Sequence, residues 1–511
     1  MKNYKYISLF LLSLGLISCD VNNELDEIQA EPVEQVELNT NGLDFSSYVS
    51  VGASFTAGFT DNALFIAAQE NSFPNILAGK FGANFAQPLM SDNIGGLLFA
   101  GNVIQGPRLF FNGAGPAALP ATPTTEVTTS VAGNLNNYGI PGAKSFHFVA
   151  PGYGNVQGVP LGLANPYYAR MASSGTATVL GDAMAQSPTF FTLSEIGGND
   201  VLGYATSGGS GVDQTGNFDP TTYEGSDITD PNVFAQVFTT MVSTLTSGGA
   251  KGVVANVPYI TDLSHFTTVP YNPIPLDAGT AAAVNGGYAA YNGGIQQAFG
   301  VLVQLGVFTQ DQADAEIAKR TISFSAGQNA VVIVDEDLTD LGAINPAFAG
   351  IPQYRQATAD DLLVLPSSAF IGTLADPNNP LSVNGVGVPL DDKWVVTPEE
   401  QLAIKTATDA YNATIEATAA ANANIALVDF KAVLAEASTG IMFDNYTLNT
   451  SLVTGGLVSL DGVHLTARGY ALMANKIMAA MDAEFGTNFT SATGGLAVAG
   501  DYPTNYSPAL R

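Results

Sequence analysis

Few side chains of this sequence could serve as a general base, because it contains only three histidines: His147, His265 and His464. Two of them follow an aspartate by three residues, in Asp461-Gly-Val-His464 and in Asp262-Leu-Ser-His265. That spacing lets the carboxylate accept a hydrogen bond from the imidazole and orient it as a base. Of the two pairs we favour the one nearer the C-terminus, with the pair at 262 and 265 as its rival. His147 is interpreted as a structural or surface histidine.

A base of this kind needs a nucleophile and donors for an oxyanion before it can hydrolyse an ester. Three glycine-containing segments offer them: GASFTAG with Ser54, NYGIPGA with Gly142, and GGND with Asn199. Alone, the Ser54 and Gly142 segments are better explained as ordinary turns, and the Asn199 segment is equally well explained as one. Taken together they predict a hydroxyl, a backbone N–H and a side-chain amide at the ends of strands, where open α/β sheets bind ligands.

The elements that would position these groups follow from the hydrophobic pattern. Four short apolar runs predict strands that are covered on both faces, as in a mostly parallel sheet, at 48–51, 189–196, 252–257 and 425–430. Helices are predicted after the Asp230-Pro231 cap, after the capping box Thr397-Pro-Glu-Glu400 through Tyr411, and from about 466 to 485. The chain is therefore predicted to have an α/β fold.

Two regions interrupt this alternation, at 84–136 and 265–395. Long irregular connections are usually functional loops, so we expect both to be insertions at the sheet edge that fold over Ser54 and wall in an acyl pocket.

The apolar segment 94–100 favours a lipid substrate slightly. The acidic stretch 335–340 could bind calcium but lacks the glycine and distal glutamate of a calcium loop, and a solvated acidic turn is the alternative.

Composition excludes several classes of protein. Hydrophobic residues make up 46% of the 511 positions, so a large core is available and a disordered chain is excluded. A formal net charge of −29 would repel phosphate backbones, which argues against nucleic-acid binding. A single cysteine excludes zinc ribbons, iron–sulfur clusters and disulfide scaffolds.

That cysteine, Cys19, follows an N-terminus with Lys2, Lys5 and an apolar run to Ile17. A basic start and a short apolar stretch predict a signal peptide at 1–18. The run Leu-Ile-Ser-Cys resembles a bacterial lipobox, whose cysteine is acylated and becomes the mature N-terminus; an ordinary signal peptide with an incidental cysteine is the alternative. Residues 19–44 are predicted to be a flexible acidic spacer and 45–511 the domain. These features predict an exported protein of the bacterial cell envelope with its lipid anchor in the outer membrane.

The joint set of blocks resembles the SGNH (GDSL) hydrolase family, in the family's order: Ser54, Gly142, Asn199, and Asp461 with His464. The resemblance covers 45–83, 137–260 and 396–490. It implies a flavodoxin-like three-layer α/β/α sandwich and hydrolysis of esters or thioesters, and it assigns the base to the C-terminal pair. One position departs from the family, which usually has aspartate where this chain has Ala53.

The resemblance implies that Ser54 is the nucleophile, that His464 held by Asp461 is the base, and that Ser54, Gly142 and Asn199 donate to the oxyanion. No metal or cofactor is required. The expected partners are an ester substrate, either a lipid acyl ester or an acylated glycan, and the membrane through the lipid anchor. The alternative, favoured by Ala53, is a weakly active or inactive surface-anchored binding protein on the same fold.

Overall fold

Five parallel strands form the central sheet in the computed structural model of the protein, which describes residues 35–511. They are β1 (Tyr48–Gly52), β2 (Asn137–Gly139), β3 (Phe190–Ser194), β4 (Lys251–Ala255) and β5 (Ile425–Val428), and their order across the sheet is β2-β1-β3-β4-β5. All four predicted strands are present, and the predicted α/β class is confirmed. The sequence interpretation missed β2, which was taken as a glycine turn.

Every residue of β1 and β3 is buried. Because successive side chains of a strand point to opposite faces, both faces of the sheet must be covered at these strands. Gly52 pairs with Ser194 of β3 and with Gly139 of β2, so three neighbouring strands end at one level. The segments that follow these strands therefore leave the same edge of the sheet side by side.

Eight helices position the site or its surroundings. They are α1 (Ser54–Ala57), α2 (Phe73–Phe81), α3 (Asn199–Thr206), α4 (Pro231–Thr246), α5 (Ala278–Gln304), α6 (Pro398–Ala420), α7 (Phe430–Thr439) and α8 (Ala467–Phe485). The caps act as predicted: the Asp230 side chain accepts from the first-turn N–H groups of α4, and Thr397 and Glu400 form a capping box on α6. The predicted α4 and α8 are confirmed, whereas α6 continues nine residues beyond Tyr411, to Ala420.

The remaining regular elements are short. Six two-stranded antiparallel pairs are Leu97–Phe99 with Asn102–Gln105, Leu109–Phe111 with Pro116–Ala118, Ile274–Leu276 with Gly327–Asn329, Val332–Val334 with Tyr354–Gln356, Leu362–Leu363 with Val395–Val396, and Ile441–Phe443 with Tyr446–Leu448. Further α-helices are Ile66–Glu70, Pro166–Ala169, Val179–Met184, Ser264–Thr267, Gln310–Arg320, Leu341–Ile344 and Ser367–Phe370. Short 3-10 helices are Ser145–Phe148, Val156–Leu161, Pro220–Thr222, Ile260–Asp262, Pro346–Phe348, Asp392–Trp394 and Ala499–Asp501.

The helices that contact the sheet form two groups, and the helices within each group pack against one another. In one group α2 packs against α8, and in the other α6 packs against α3 and α4. Their apolar residues and those of the strands form one large core, which includes Phe73, Phe190, Phe234 and Tyr411. This core is what holds the strand ends, and hence the site, in place.

The region 265–395, whose sequence predicts some helical and strand-like pieces but no motif, is more regular than a loop. It contains α5, a helix of 27 residues, and a separate apolar core that includes Val284, Ile333 and Leu390. The region 84–136 is held differently: the fully buried Arg108 donates hydrogen bonds to the carbonyls of Ser507 and Leu510 near the C-terminus. Both insertions are thus folded parts of the protein.

The predicted signal peptide and Cys19 lie outside the described residues, as does most of the predicted spacer. Residues 38–511 belong to one compact unit. Within it, the N–H of Asn39 donates to the side chain of Asn488 (2.6 Å), and the amide of Asn41 donates to the Phe485 carbonyl (2.7 Å). Between residues 35 and 511, no helix combines the length and the apolar character needed to cross a bilayer.

Candidate active site

Ser54 begins α1 directly after β1, at the carboxyl edge of the sheet. The helix lies so close to β2 that a Cβ added to Gly139 would stand 2.2 Å from the backbone N of Ala57. The neighbouring strand β3 is equally close to β1, since a Cβ added to Gly52 would stand 2.6 Å from the Ser194 carbonyl oxygen. Glycine is therefore required at both positions by close approach. This turn places the Ser54 hydroxyl, on a residue that is 8% exposed, at the sheet edge.

A chain of two hydrogen bonds joins Ser54 to the C-terminal pair. The Oγ of Ser54 lies 2.9 Å from Nε2 of His464, and Nδ1 of His464 lies 2.9 Å from Oδ2 of Asp461. The ionised carboxylate can only accept, so Nδ1 carries the proton and Nε2 accepts from the serine hydroxyl. The imidazole is therefore in the tautomer that a general base needs.

Both oxygens of the Asp461 carboxylate accept hydrogen bonds from backbone N–H groups. Its Oδ1 accepts the backbone N–H groups of Val463 (2.9 Å) and His464 (2.8 Å), and its Oδ2 also accepts the N–H of Asn62 (2.8 Å). Burial alone would raise the pKa of Asp461, but the charge and N–H of His464 and the backbone donors outweigh it and hold that pKa well below its usual range. Asp461 is thus ionised at neutral pH.

A second buried aspartate supports this loop. Asp61 accepts the N–H of Leu460 (3.1 Å) and donates its own N–H to the hydroxyl of Ser459 (3.1 Å). Burial raises the pKa of Asp61 to about 7, and the negative charge of Asp461 adds to that increase. Sequence interpretation missed both Asp61 and Asn62, since a lone Asp-Asn dipeptide in a loop carries no signal for a contact with residues 398 or more positions away.

The imidazole of His464 is flanked by two aromatic rings. The ring of Phe59 lies 4.6 Å from it, centroid to centroid, and that of Phe55 lies 5.7 Å away, edge-on. Such apolar walls reduce the water around the Ser54–His464 hydrogen bond, which strengthens it.

The donors predicted for the oxyanion lie in the three segments that follow β1, β2 and β3. The amide of Asn199, the first residue of α3, donates one hydrogen bond to the carbonyl of Ala143 (2.9 Å), which leaves its second N–H for a ligand. The next residue, Asp200, accepts from the N–H of Ser145 (2.9 Å) and from its hydroxyl (2.6 Å). These bonds tie α3 to the turn that contains Gly142.

Gly142 has φ of +80°, in the left-handed region that glycine adopts most readily. Neither its N–H nor that of Ser54 donates a hydrogen bond to any residue among those described. Two backbone donors and one amide hydrogen are thus unengaged at this edge of the sheet.

Glu195 is a further residue at the site that sequence interpretation missed. It follows β3 with φ of +48°, which is unusual outside glycine, and its Oε1 accepts the N–H of Thr56 in α1 (2.8 Å). The residue before α1, Ala53, has no side chain that could cap the helix, so Glu195 performs this role from a neighbouring strand end. Burial raises the pKa of Glu195 to about 7, against the lowering effect of the Thr56 N–H.

An apolar cavity of about 110 Å³ lies beside Ser54. Its wall is formed by the segments that follow β3 and β4 and by α7 and α8, with Leu434 and Met473 among the contributors; Ser54, Glu195 and Asn199 form its polar end. Protein interiors normally pack as densely as organic crystals. An unfilled space lined by apolar side chains therefore stands out beside the Ser54 hydroxyl.

The rival pair is not assembled into a dyad. Both ring nitrogens of His265 are buried and make no hydrogen bond to any residue in the described part of the chain, so Asp262 does not orient this ring as Asp461 orients His464. The backbone of His265 instead supports the other pair, since its N–H donates to the Gly462 carbonyl (2.9 Å). His147 stacks on Tyr153 at 4.1 Å and accepts the N–H of Lys144, which agrees with a structural role.

The insertions contact the site loops without lining the cavity. No residue of 84–136 or 265–395 is part of its described wall, so the expectation that both insertions wall in this pocket is wrong. Segments that follow the strands occupy that space, and the insertions pack outside them: Met90, Leu97 and Val127 lie in one cluster with Phe59, and the second insertion contacts Gly462 through His265.

One group of carboxylates could hold a cation by distance alone. Oxygens of Glu336, Asp392 and Glu400 lie within 4.8 Å of one another. Burial and neighbouring carboxylates raise the pKa of Asp392 to about 7 and that of Glu400 to about 8. These three residues are not part of the cavity at Ser54. In the predicted acidic turn itself, Asp335 is buried and paired with Arg355.

The structure therefore brings Ser54, Asp461 and His464 into contact, and it ties Asn199 to the turn that holds Gly142. In comparison with known proteins, the chain matches no family model, no curated protein and no solved structure.

Proposed function

We propose that this protein is a serine hydrolase of carboxylic esters that works through an acyl-enzyme. The observation that carries the proposal is the continuous hydrogen-bonded line from the Ser54 hydroxyl through His464 to Asp461, with both distances 2.9 Å. A hydroxyl, a base in the correct tautomer and an orienting carboxylate are the three parts that nucleophilic catalysis by serine requires. The unengaged N–H groups of Ser54 and Gly142 and the amide of Asn199 support it further.

In the acylation step, Ser54 Oγ attacks the ester carbonyl carbon while its proton passes to Nε2 of His464. The imidazolium is stabilised by the ionised Asp461. The negative charge that develops on the carbonyl oxygen is stabilised by the three donors, each of which is worth about 2.7–4 kcal/mol in comparable sites. The C–O bond to the alcohol then breaks, and His464 returns the proton to the departing oxygen.

In the deacylation step, a water molecule takes the place of the alcohol. His464 removes its proton as it attacks the acyl carbon, and the same donors stabilise the second tetrahedral intermediate. Collapse of that intermediate releases the carboxylic acid and returns the proton to Ser54. Apart from the ester and the attacking water, these steps use only residues of the chain.

We further propose that the chain is an SGNH-type hydrolase with a flavodoxin-like three-layer α/β/α sandwich. The strand order β2-β1-β3-β4-β5 is the order of flavodoxin-like sheets, and such folds bind ligands at the switch point between β1 and β3. Ser54 follows β1 and Glu195 and Asn199 follow β3, so the proposed site coincides with that point. The two helix groups are proposed to cover the two faces.

A covalent probe tests the proposed nucleophile. We expect a fluorophosphonate to phosphonylate Ser54 with loss of fluoride, because only this serine is hydrogen-bonded to a histidine base among the described serines. Mass spectrometry of the digested protein should locate the adduct on the peptide that contains Ser54.

Ser194→Ala is the matched control, since Ser194 lines the same cavity but its hydroxyl makes no hydrogen bond to a described residue. This variant should be labelled like the wild type. A folded wild-type protein that acquires no adduct, or acquires it at another serine, would contradict the proposal.

We also propose that the mature protein is attached to the bacterial cell envelope through a lipid on Cys19, as the lipobox-like run suggests. Replacement by alanine removes the acylated sulfur, so Cys19→Ala should move the protein from membrane to soluble fractions while ester hydrolysis per molecule stays within about twofold. Fractionation with an activity assay is the measurement. Firm membrane association of the variant would instead place the membrane contact on the domain.

A further inference from the structure

We propose that the apolar cavity beside Ser54 binds the acyl group of the substrate and selects short acyl chains of roughly four to five carbons. This inference rests on the proposed ester hydrolysis and specifies its substrate.

Position decides which part of the ester enters the cavity. In a serine hydrolase the alcohol must leave on the side of the imidazole, because the imidazole returns the proton to it. Ser54 and Asn199 line the cavity, as do Val463 and Leu465 on either side of His464, whereas His464 itself and Gly142 do not. The cavity thus begins at Ser54, to which the acyl group is bonded in the acyl-enzyme, and the acyl group is the part of the ester nearest to it.

The wall is suited to a hydrocarbon chain. Leu434 of α7 and Leu472 and Met473 of α8 line it, and each is at most 7% exposed. No basic residue is part of the wall among the described residues, so nothing there pairs with an anionic acyl group. A sugar-sized polar group would lose its hydrogen bonds to water in such a space without replacement.

Size sets the length of the chain. An apolar protein cavity of about 150 Å³ accommodates benzene, a molecule of six carbons. The cavity beside Ser54 measures about 110 Å³. By proportion it holds roughly four to five carbons, so a butyryl or pentanoyl group fills it and the outer carbons of a decanoyl group extend beyond it.

The test is a series of p-nitrophenyl esters from acetate to decanoate, hydrolysed by the full chain. We expect kcat/KM to be highest at butyrate and pentanoate and at least about tenfold lower at acetate and at decanoate, since each methylene in a hydrophobic pocket is worth about tenfold or more. Met473→Phe, which fills the cavity, should lower the pentanoate-to-acetate ratio by about tenfold. Met473→Ala, which enlarges it, should move the optimum to longer chains.

Met478→Ala is the matched control, because Met478 is a fully buried methionine of the same helix that does not line the cavity. It should lower the melting temperature without changing the ratio. If either Met473 variant does not fold, Leu434→Ala on α7 tests the same enlargement.

The outcomes separate this inference from the proposed function. If the folded wild type hydrolyses no ester of the series, the proposed function is wrong. If it hydrolyses all chain lengths equally, or if the Met473 variants leave the ratio unchanged, the function stands and the cavity inference is overturned. A Met473 variant that changes the preference for the chain of the alcohol in a set of acetate esters would also overturn it.

Discussion

Ser54→Ala should reduce kcat for p-nitrophenyl butyrate by roughly 10⁴- to 10⁶-fold, and His464→Ala should do the same. Without the hydroxyl no acyl-enzyme forms, and without the imidazole the hydroxyl keeps its proton. Because the two residues act as a unit, the double variant should be no slower than either single variant. Steady-state kinetics on folded protein, checked by circular dichroism, is the measurement.

His265→Ala is the control for this prediction. It removes a histidine that also follows an aspartate by three residues but whose ring makes no hydrogen bond to a described residue. We expect its kcat to stay within a few-fold of the wild type. If it is as inactive as His464→Ala, the assignment of the base is wrong, and if the folded wild type itself shows no turnover, the alternative of a binding protein is favoured.

Asp461→Asn should lower kcat by about 10⁴-fold, the size of effect seen when the orienting carboxylate of a serine hydrolase is replaced by an amide. The amide removes the negative charge that stabilises the imidazolium. Its NH₂ group also allows Nδ1 to be held as an acceptor, which leaves the proton on Nε2 and blocks acceptance from Ser54. Rates with the butyrate ester measure the effect, and Asp262→Asn, in the rival pair, should leave the rate unchanged.

The same substitution changes how stability depends on pH. The pKa of Asp461 is held below its ordinary value of 3.8 in the folded protein. The carboxylate therefore contributes stability that is fully present above about pH 5 and is lost as the pH falls through the depressed pKa. Denaturation curves of wild type and Asp461→Asn should converge at low pH, and a constant difference between them would contradict this account.

Much of the fold was predictable because its signals are local. The strands at 48, 189, 252 and 425 are apolar runs of suitable length, and the caps at Asp230 and Thr397 act within one turn of their helices. The pairing of Asp461 with His464 is local as well, since three residues separate them. The spacing alone, however, also suggested Asp262 and His265.

Local signals misled the interpretation where packing outweighs propensity. The helix α5 contains six glycines in Ala278–Gln304, which argue against a helix on propensity. Its buried residues, at 281, 284, 288, 295, 298, 299 and 302, nevertheless share one face of the helix, and burial of that face compensates for the glycines. The strand β2 has only three residues, too few to show a period, and exists because β1 offers it a partner.

The sequence by itself determined the chemical types available to the site and the strands and helices that end beside it. Only the tertiary structure decided which histidine meets Ser54, because that contact joins residues 410 positions apart. It also decided where the apolar cavity beside Ser54 lies: its wall comes from separate segments between Ser54 and Met473, and no single segment indicates a cavity. The turns and the helix caps at Asp230 and Thr397 depend on residues that are close in the sequence. A cavity, in contrast, depends on how side chains from distant parts of the chain pack together.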